Sequence, residues 1–439
     1  MELNTVLTDD IELTTVAEAE IEEAAEDKVP ARSWYALAIL ALIYACDFLD
    51  RTMISIIVEP VRIEFGLSDS QLGLLTGLAY GVSFALAAIP IGFLIDRNNR
   101  VRLLAGLVAI WGAMTALSYF AQNFVQLLLA RMGVGAAEAG GTPASFSLIS
   151  DFFPPSKRST AVGYLFIGNA IGAALTIVIG GYVTAHYGWR LAMLIAGVPG
   201  LILATLLVLT VREPKRGGYD AAVLVAKEAV APLTVILYIV KNRAVLHLIA
   251  GTSITTAAIA TLGVWMPAFV MRFHGLNIEK AGMVAALAGG LFTAIGSVIG
   301  GIACDHIGKS NPRRRIDVCV VICFITLLIS CGAILFKPTL LAIVLLCLAM
   351  FFAFVVFPAS FGTMLTLVSP DMRGVTSATM MICTNLVGYG LGPFMVGVLS
   401  DLYGGDQSLR FAMMTIMCIC CPWAGLHFAL SARAYRSAA

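Results

Sequence analysis

The sequence predicts an all-α membrane protein of twelve transmembrane helices arranged as two pseudo-symmetric six-helix bundles. Three observations carry that prediction: a composition too apolar for water, twelve apolar runs of spanning length, and a signature that recurs in the second half. Of 439 residues, 59% are hydrophobic and 13% charged, and the mean hydropathy is +0.91. Soluble domains run about half apolar and about a quarter charged. No set of soluble cores absorbs that much apolar surface, so the surplus needs lipid as its solvent. The net charge of +1 argues against nucleic acid as a partner.

Residues 1–32 hold ten acids, from Glu2 to Asp27, against Lys28 and Arg32. This stretch lacks the basic and apolar regions of a signal peptide and has little to fold around, so it reads as an acidic disordered cytosolic tail. Apolar runs of about 20 residues then predict helices near 33–58, 71–95, 101–120, 124–150, 158–185 and 189–211. These six form an N-terminal bundle over 33–211. A linker, 212–243, opens with Arg212-Glu213-Pro214-Lys215-Arg216-Gly217, a helix stop followed by a basic loop. Its apolar stretch 233–240 is too short to span and predicts an interfacial helix. Six further runs, near 244–271, 280–303, 316–336, 338–368, 373–402 and 409–434, form a C-terminal bundle over 244–434, and 435–439 is a short tail.

Lysine and arginine set the orientation. With both termini cytosolic, the cytosolic segments carry 20 basic residues and the opposite side six, with Arg51 and Arg131 inside spans. The expected location is therefore a cell (inner) membrane, as an integral multi-pass protein with both termini cytoplasmic. Nine of the ten cysteines lie at or after Cys304, mostly in apolar stretches, and read as small buried or lipid-facing thiols.

The halves echo one another. Gly92-Phe-Leu-Ile-Asp96-Arg97 follows the second span and Gly301-Ile-Ala-Cys-Asp305 the eighth, each before a basic loop; Arg158 and Arg373 precede Gly-rich helices after the fourth and tenth. A parallel repeat of this kind resembles the major facilitator superfamily, whose substrate site lies at the midplane between halves. The resemblance extends to the spinster family of lipid transporters over roughly 33–214. It is carried by Asp50-Arg51, Asp96-Arg97-Asn98-Asn99-Arg100, Arg131…Gly135…Glu138-Ala139, Asp151-Phe152, Gly188-Trp189-Arg190, Pro199-Gly200 and Arg212-Glu213-Pro214. Asn99 stands where the general superfamily pattern has Gly and spinster-like sequences have Asn. Ala137 and the displaced Pro143 depart from the family pattern.

Five ionisable residues fall at membrane depth: Asp47, Asp50, Arg51, Arg131 and Glu138. Each costs on the order of 3 kcal/mol on insertion scales, which makes each a functional candidate. Asp47 and Arg51 share a face at i,i+4, as do Arg131 and Glu138 two turns apart. Burial and a neighbouring guanidinium pull a carboxylate's proton affinity in opposite directions, so moving the Arg changes protonation. The spinster resemblance implies that Asp50 and Glu138 couple transport to protons. Arg51 and Arg131, with Asp47, would be counter-ions or substrate ligands, Arg being suited to bidentate phosphate binding. The alternative is a static ion-pair network holding the first and fourth helices together.

Asp96, Arg97, Arg100, Asp151, Arg158 and Asp305, at cytosolic helix ends, are expected to gate, with simple interfacial anchoring as the alternative. Glycines in the fifth and eleventh spans suit helices that pack closely and bend. In the second half, Phe354, Phe357 and Phe361 recur along one helical face, with Asn385 and Tyr389 nearby in the eleventh span. They would line a cavity for an apolar tail, unless the rings face lipid.

Phosphate-loop, dinucleotide, zinc-hydrolase and nucleophile-elbow motifs are all incomplete or missing, and the five histidines are scattered. No enzyme activity, cofactor or metal is expected. The sequence thus points to a monomeric secondary transporter that works by alternating access. Its expected partners are protons, the bilayer and an amphipathic lysophospholipid or sphingoid-phosphate-like lipid. An exporter of small organic anions or drugs of the same fold is the runner-up, and a membrane-embedded lipid enzyme or a receptor is disfavoured.

Overall fold

The computed structural model describes residues 29–217, 231–308, 311, 313–369 and 372–436. Most of the acidic tail, the linker stretch 218–230, the side chain of Asp305 and residues 437–439 lie outside the described residues. Within them all regular structure is helical.

The first bundle comprises α1 (Ala31–Phe65), α2 (Asp69–Arg97), α3 (Arg100–Phe120), α4 (124–152), α5 (155–187) and α6 (189–210). A short helix α7 (Pro232–Lys241) follows. The second bundle comprises α8 (Arg243–His274), α9 (Ile278–Gly308), α10 (Arg313–Leu335), α11 (Thr339–Leu367), α12 (Arg373–Tyr403) and α13 (Ser408–Arg436).

Among the described residues, nine continuous helical stretches are long and apolar enough to cross a membrane. The other three crossings are hidden for physical reasons. α1 carries Asp47, Asp50 and Arg51 in its middle and Glu59, Arg62 and Glu64 near its end. α4 is broken into Phe124–Glu138 and Gly141–Phe152. α5 and α6 abut at Gly188, whose φ of 85° ends one helix and starts the next, a conformation that costs glycine no Cβ clash. The count is then twelve.

Helix starts follow side-chain chemistry. Ser68 and Gln71 form a reciprocal capping box at the head of α2. Asn99, Asn123, Asn242 and Asn277 cap α3, α4, α8 and α9 by accepting from backbone N–H groups. Asn99, one of the residues that carry the family resemblance, accepts from the Arg102 N–H at 2.8 Å. α1 ends on Gly66 in the left-handed conformation. At 35 residues α1 is about 50 Å long, well beyond a ~30 Å hydrocarbon layer, so its last turns project past the membrane core. That is why the helix continues through Glu59-Pro60, where the apolar run stops. α7 buries Val235 and Ile239 against α8 and α12.

Four helices carry a π-helical stretch: α2 at Leu74–Leu78, α5 at Thr176–Val183, α9 at Leu287–Phe292 and α12 at Thr384–Leu391. These same four make most of the packing between the halves, α2 on α12 and α5 on α9. π segments widen the helix and free backbone groups, and they are common at functional sites. The approach of α2 to α12 is backbone to backbone. A Cβ added at Gly77 would lie 2.6 Å from the Gly390 carbonyl oxygen, and one at Gly81 2.9 Å from the Asn385 carbonyl oxygen. Of the α5 glycines, Gly168 and Gly172 pack against α1 inside the first half, while Gly181 faces Glu279 and Gly282 across the interface.

Candidate functional site

The two halves are tied at the end of the bundle opposite the Arg97–Arg102 loop. Arg272, near the end of α8, donates from Nε to Glu59 Oε2 of α1 at 2.8 Å. Its two Nη groups donate to the two carboxylate oxygens of Asp69 in α2 at 3.0 and 2.9 Å. From α12, Ser400 donates to Asp69 Oδ2 at 2.6 Å. Asp401 accepts the backbone N–H groups of Asp69 and Ser70 at 3.0 and 2.8 Å. Glu59 and Asp69 are buried. These are charge-assisted bonds, roughly twice as strong as neutral ones.

Below this latch, between the halves, lies a cavity of about 270 Å³. The first half lines it with Tyr44, Asp47, Phe48, Arg51, Tyr80 and Arg131; the second with Ile259, Val264, Met350, Phe354 and Tyr389, among others. The charged wall is built by helix contacts. Arg51 and Asp47 sit one turn apart on α1, 3.3 Å between Nη2 and Oδ1. Arg51 Nε also donates to Glu138 Oε2 of α4 at 3.1 Å. Asp50 accepts from Arg131 Nη1 at 2.9 Å and from Thr115 Oγ1 of α3 at 2.6 Å. The Tyr80 hydroxyl of α2 donates to Glu138 Oε2 at 2.7 Å. Its ring lies within reach of both guanidinium groups, 5.5 Å from Arg51 and 6.0 Å from Arg131.

So α1 and α4 are joined by two crossed ion pairs, Asp50–Arg131 and Arg51–Glu138. Three carboxylates (Asp47, Asp50, Glu138) face two guanidinium groups (Arg51, Arg131), one negative charge over when all are ionised. Asp50, Arg131 and Glu138 are buried. Arg131 Nε and Glu138 Oε1 have no hydrogen-bond partner among the described residues. Buried ions cost several kcal/mol each unless fully paired, so these two atoms leave the network incompletely compensated.

The remaining sequence-derived candidates fall in three places. At the basic-loop end, Arg100 joins Asp151 at 2.5 Å and Glu213 at 2.7 Å. This cluster joins the first bundle to the start of the linker and includes no residue of the second bundle, and Glu213 also accepts the Val101 N–H at 2.9 Å. Arg158 caps the end of α4 by donating to the Ser150 and Phe153 carbonyls. Asp96 and Arg97 are exposed. The backbone carbonyls of Ile95, Asp96 and Asn98 there accept from Arg216 of the linker. In the second half, Phe354, Phe357 and Phe361 stack in series with centroids 5.3 and 6.3 Å apart. Phe354 lines the cavity, as does Tyr389; Asn385 is buried in the π segment of α12 and donates to the Met381 carbonyl.

Sequence reasoning did not find Tyr80, Thr115 or the Glu59–Asp69–Arg272–Ser400–Asp401 latch. Tyr80 and Thr115 are uncharged and carry no signal at membrane depth. The latch did leave one: three charges, Glu59, Arg62 and Glu64, on a helix that continues past its apolar run.

The sequence pattern of the Major Facilitator Superfamily matches residues 40–393. A protein of Mycolicibacterium smegmatis named an MFS-type efflux pump is 30% identical over 391 residues, covering 88% of this chain and 90% of that protein. The sphingosine-1-phosphate transporter SPNS2 of Danio rerio is 24% identical over 408 residues, covering 88% and 81%. Among solved structures, a bacterial homolog to the human lysosomal transporter spinster, inward-facing and unoccupied, superposes with a TM-score of 0.80. Its identity is 25%, and the match covers 93% of this chain and 99% of that one.

Proposed function

The chain belongs to the Major Facilitator Superfamily, a transporter superfamily with spinster proteins among this chain's relatives, and on that footing we propose that it is a proton-coupled secondary transporter of a single-chain amphiphile, a lysophospholipid or a sphingoid phosphate. The observation that carries this reading is the paired network Asp50–Arg131 and Arg51–Glu138–Tyr80 on the wall of the cavity between the halves. Its one uncompensated charge takes one proton. Glu138 Oε1 offers the proton an open position, and Arg51 then loses its partner and turns to the substrate. Separation of Glu138 from Arg51 and Tyr80 during alternating access favours protonation, and their return favours release.

A charged wall on the first half and the Phe354–Phe357–Phe361 ladder on the second suit a molecule with a polar head and an apolar tail. On this reading the latch closes the outer end, and the side opposite it is cytosolic and holds both termini, in a cell (inner) membrane. Asp96, Arg97, Arg100, Asp151, Arg158 and Asp305 act at the cytosolic end, and the protein acts as a monomer. The test is transport of a labelled lysophospholipid into liposomes under an imposed pH gradient, beside Glu138→Gln. Gradient-driven movement lost in the variant is expected; equal movement in both refutes the coupling role. A second reading, export of small organic anions or drugs, is favoured by the similarity to the mycobacterial efflux pump. Proton flux triggered by a small anion, with no lipid movement, decides for it.

A further inference from the structure

We propose that Asp47 reads a protonated amine on the transported molecule, so that the cavity selects amine-bearing headgroups over amine-free anions of the same size. This rests on the reading of the chain as an amphiphile transporter and goes on to name the headgroup chemistry.

Charge comes first. Of the three carboxylates and two guanidinium groups in the network, Asp47, Arg51 and Arg131 line the cavity, while Asp50 and Glu138 are buried. The charged lining comes from α1 and α4, while the facing second-half wall is apolar and aromatic, with Ile259, Val264, Met350, Phe354 and Tyr389. An amine-free anion finds Arg51 already engaged by Glu138 and Asp47, and of Arg131, paired with Asp50 through Nη1, only Nε without a partner among the described residues. An ammonium group meets Asp47, the carboxylate that lines the cavity.

Geometry then picks out the carboxylate. Asp50 and Glu138 are almost fully buried; Asp50 holds bonds of 2.6 and 2.9 Å to Thr115 and Arg131, and Glu138 bonds of 2.7 and 3.1 Å to Tyr80 and Arg51. The Asp47 side chain is 17% exposed, lines the cavity, and meets Arg51 at 3.3 Å. That is longer than the 2.7–2.9 Å usual for charge-assisted bonds, so Asp47 turns to a new donor at small cost. Tyr44 and Tyr389 line the same cavity, and an aromatic ring attracts a cation placed over its face. The anionic part of the same headgroup has its own partner in Arg131, which lines the cavity, is buried, and has Nε unpartnered among the described residues. A headgroup with an amine and a phosphate on neighbouring atoms satisfies both ends.

The experiment is competition against labelled lysophosphatidylethanolamine on the full-length protein in neutral-lipid nanodiscs. The competitors are lysophosphatidylethanolamine, lysophosphatidylglycerol with the same tail, and tail-less glycerophosphoethanolamine. Wild type is expected to favour the ethanolamine lipid over the glycerol lipid by about tenfold or more, the effect of one charge-assisted bond. Asp47→Asn should erase that preference by weakening the ethanolamine lipid alone, and Asp47→Glu should keep it; undiminished glycerol-lipid binding shows that Asp47→Asn is folded. Equal binding of the two lipids by wild type, or equal weakening of both in Asp47→Asn, overturns the inference and leaves the amphiphile reading standing. Glycerophosphoethanolamine competing as well as its lipid upholds the amine reading and sinks the requirement for a tail. No competition by any of the three overturns both.

Discussion

Replacing Arg272 by Gln tests whether the latch sets the conformational balance. Arg272 is the one guanidinium in that cluster contributed by the second half, and it makes three bonds to two buried carboxylates of the first half. Its side chain is 18% exposed, so solvent screens the interaction only in part. Bonds to charged groups contribute about 1.5–3 kcal/mol each, but removing one partner of a cluster does not sum them, since Arg62 stays bonded to Glu59 and Asp401 and Ser400 still hold the Asp69 segment. A net loss of about 3 kcal/mol is reasonable, close to the low end for breaking a buried pair, and corresponds to about a hundredfold shift towards opening of this end. The Asp69 and Ser70 amides report it directly, because both are bonded to Asp401 across the interface and exchange with solvent only when that contact opens. Hydrogen–deuterium exchange should therefore show their protection falling by about two orders of magnitude in Arg272→Gln. Amides within the first half, such as those of α3, should be unchanged. Unaltered exchange at Asp69 and Ser70 refutes the latch.

Three further outcomes follow from the same geometry. Tyr80→Phe keeps the ring between Arg51 and Arg131 but removes the bond to Glu138; the initial rate of gradient-driven transport should fall about tenfold, with its pH profile displaced. Gly77→Leu drives a side chain into the Gly390 carbonyl of α12; the closed outer end should be destabilised by at least about 1–3 kcal/mol, read as loss of transport and faster amide exchange at 384–391. Arg100→Gln strands Asp151 and Glu213; it should cost about 3–5 kcal/mol, seen as a large drop in thermal midpoint in detergent, and Asp151→Asn in the same chain should recover part of the loss.

The fold was legible because lipid leaves few alternatives. A spanning segment must satisfy its backbone internally, so each apolar run became a helix, within a few residues of its expected ends apart from α1. The charged side chains of α1 and α4 were legible for the same reason: an aspartate at membrane depth stands out against its neighbours. Their pairing was not. Spacing places Asp47 and Arg51 on one face, but only packing of α1 on α4 decides that Asp50 meets Arg131 and Arg51 meets Glu138. Polar residues without charge, such as Tyr80 and Thr115, leave no mark in a hydropathy profile. The latch was missed because its acids and Arg272 look like ordinary residues beyond span ends until the fold brings residues 59, 69, 272 and 401 together. The four π-helical stretches are likewise invisible, since their residues are as apolar as any helix interior.

The cavity and the latch share one rigid element. Asp47, Asp50 and Arg51 face the site from α1, and Glu59, eight residues beyond Arg51, is held by Arg272 about 12 Å further along the same helix. α2 repeats the arrangement, with Asp69 in the latch and Tyr80 bonded to Glu138. On the proposed reading, a proton on Glu138 would weaken its pull on Arg51 and so loosen α1 against α4, and the far end of that same α1 is what Arg272 grips. Two sites that bias one two-state element are thermodynamically linked, and the linkage is reciprocal. Occupancy of the cavity must then change the stability of the latch by the same factor that opening the latch changes affinity in the cavity. The π segment of α2, Leu74–Leu78, lies between those two levels, and the π segments of α9 and α12 reach the cavity itself with Gly289 and Tyr389. Ion pairs alone would make the first half a static clamp; the proposed two-state cycle needs ion pairs on helices that also cross the interface to a latch, which is the arrangement of α1 and α2.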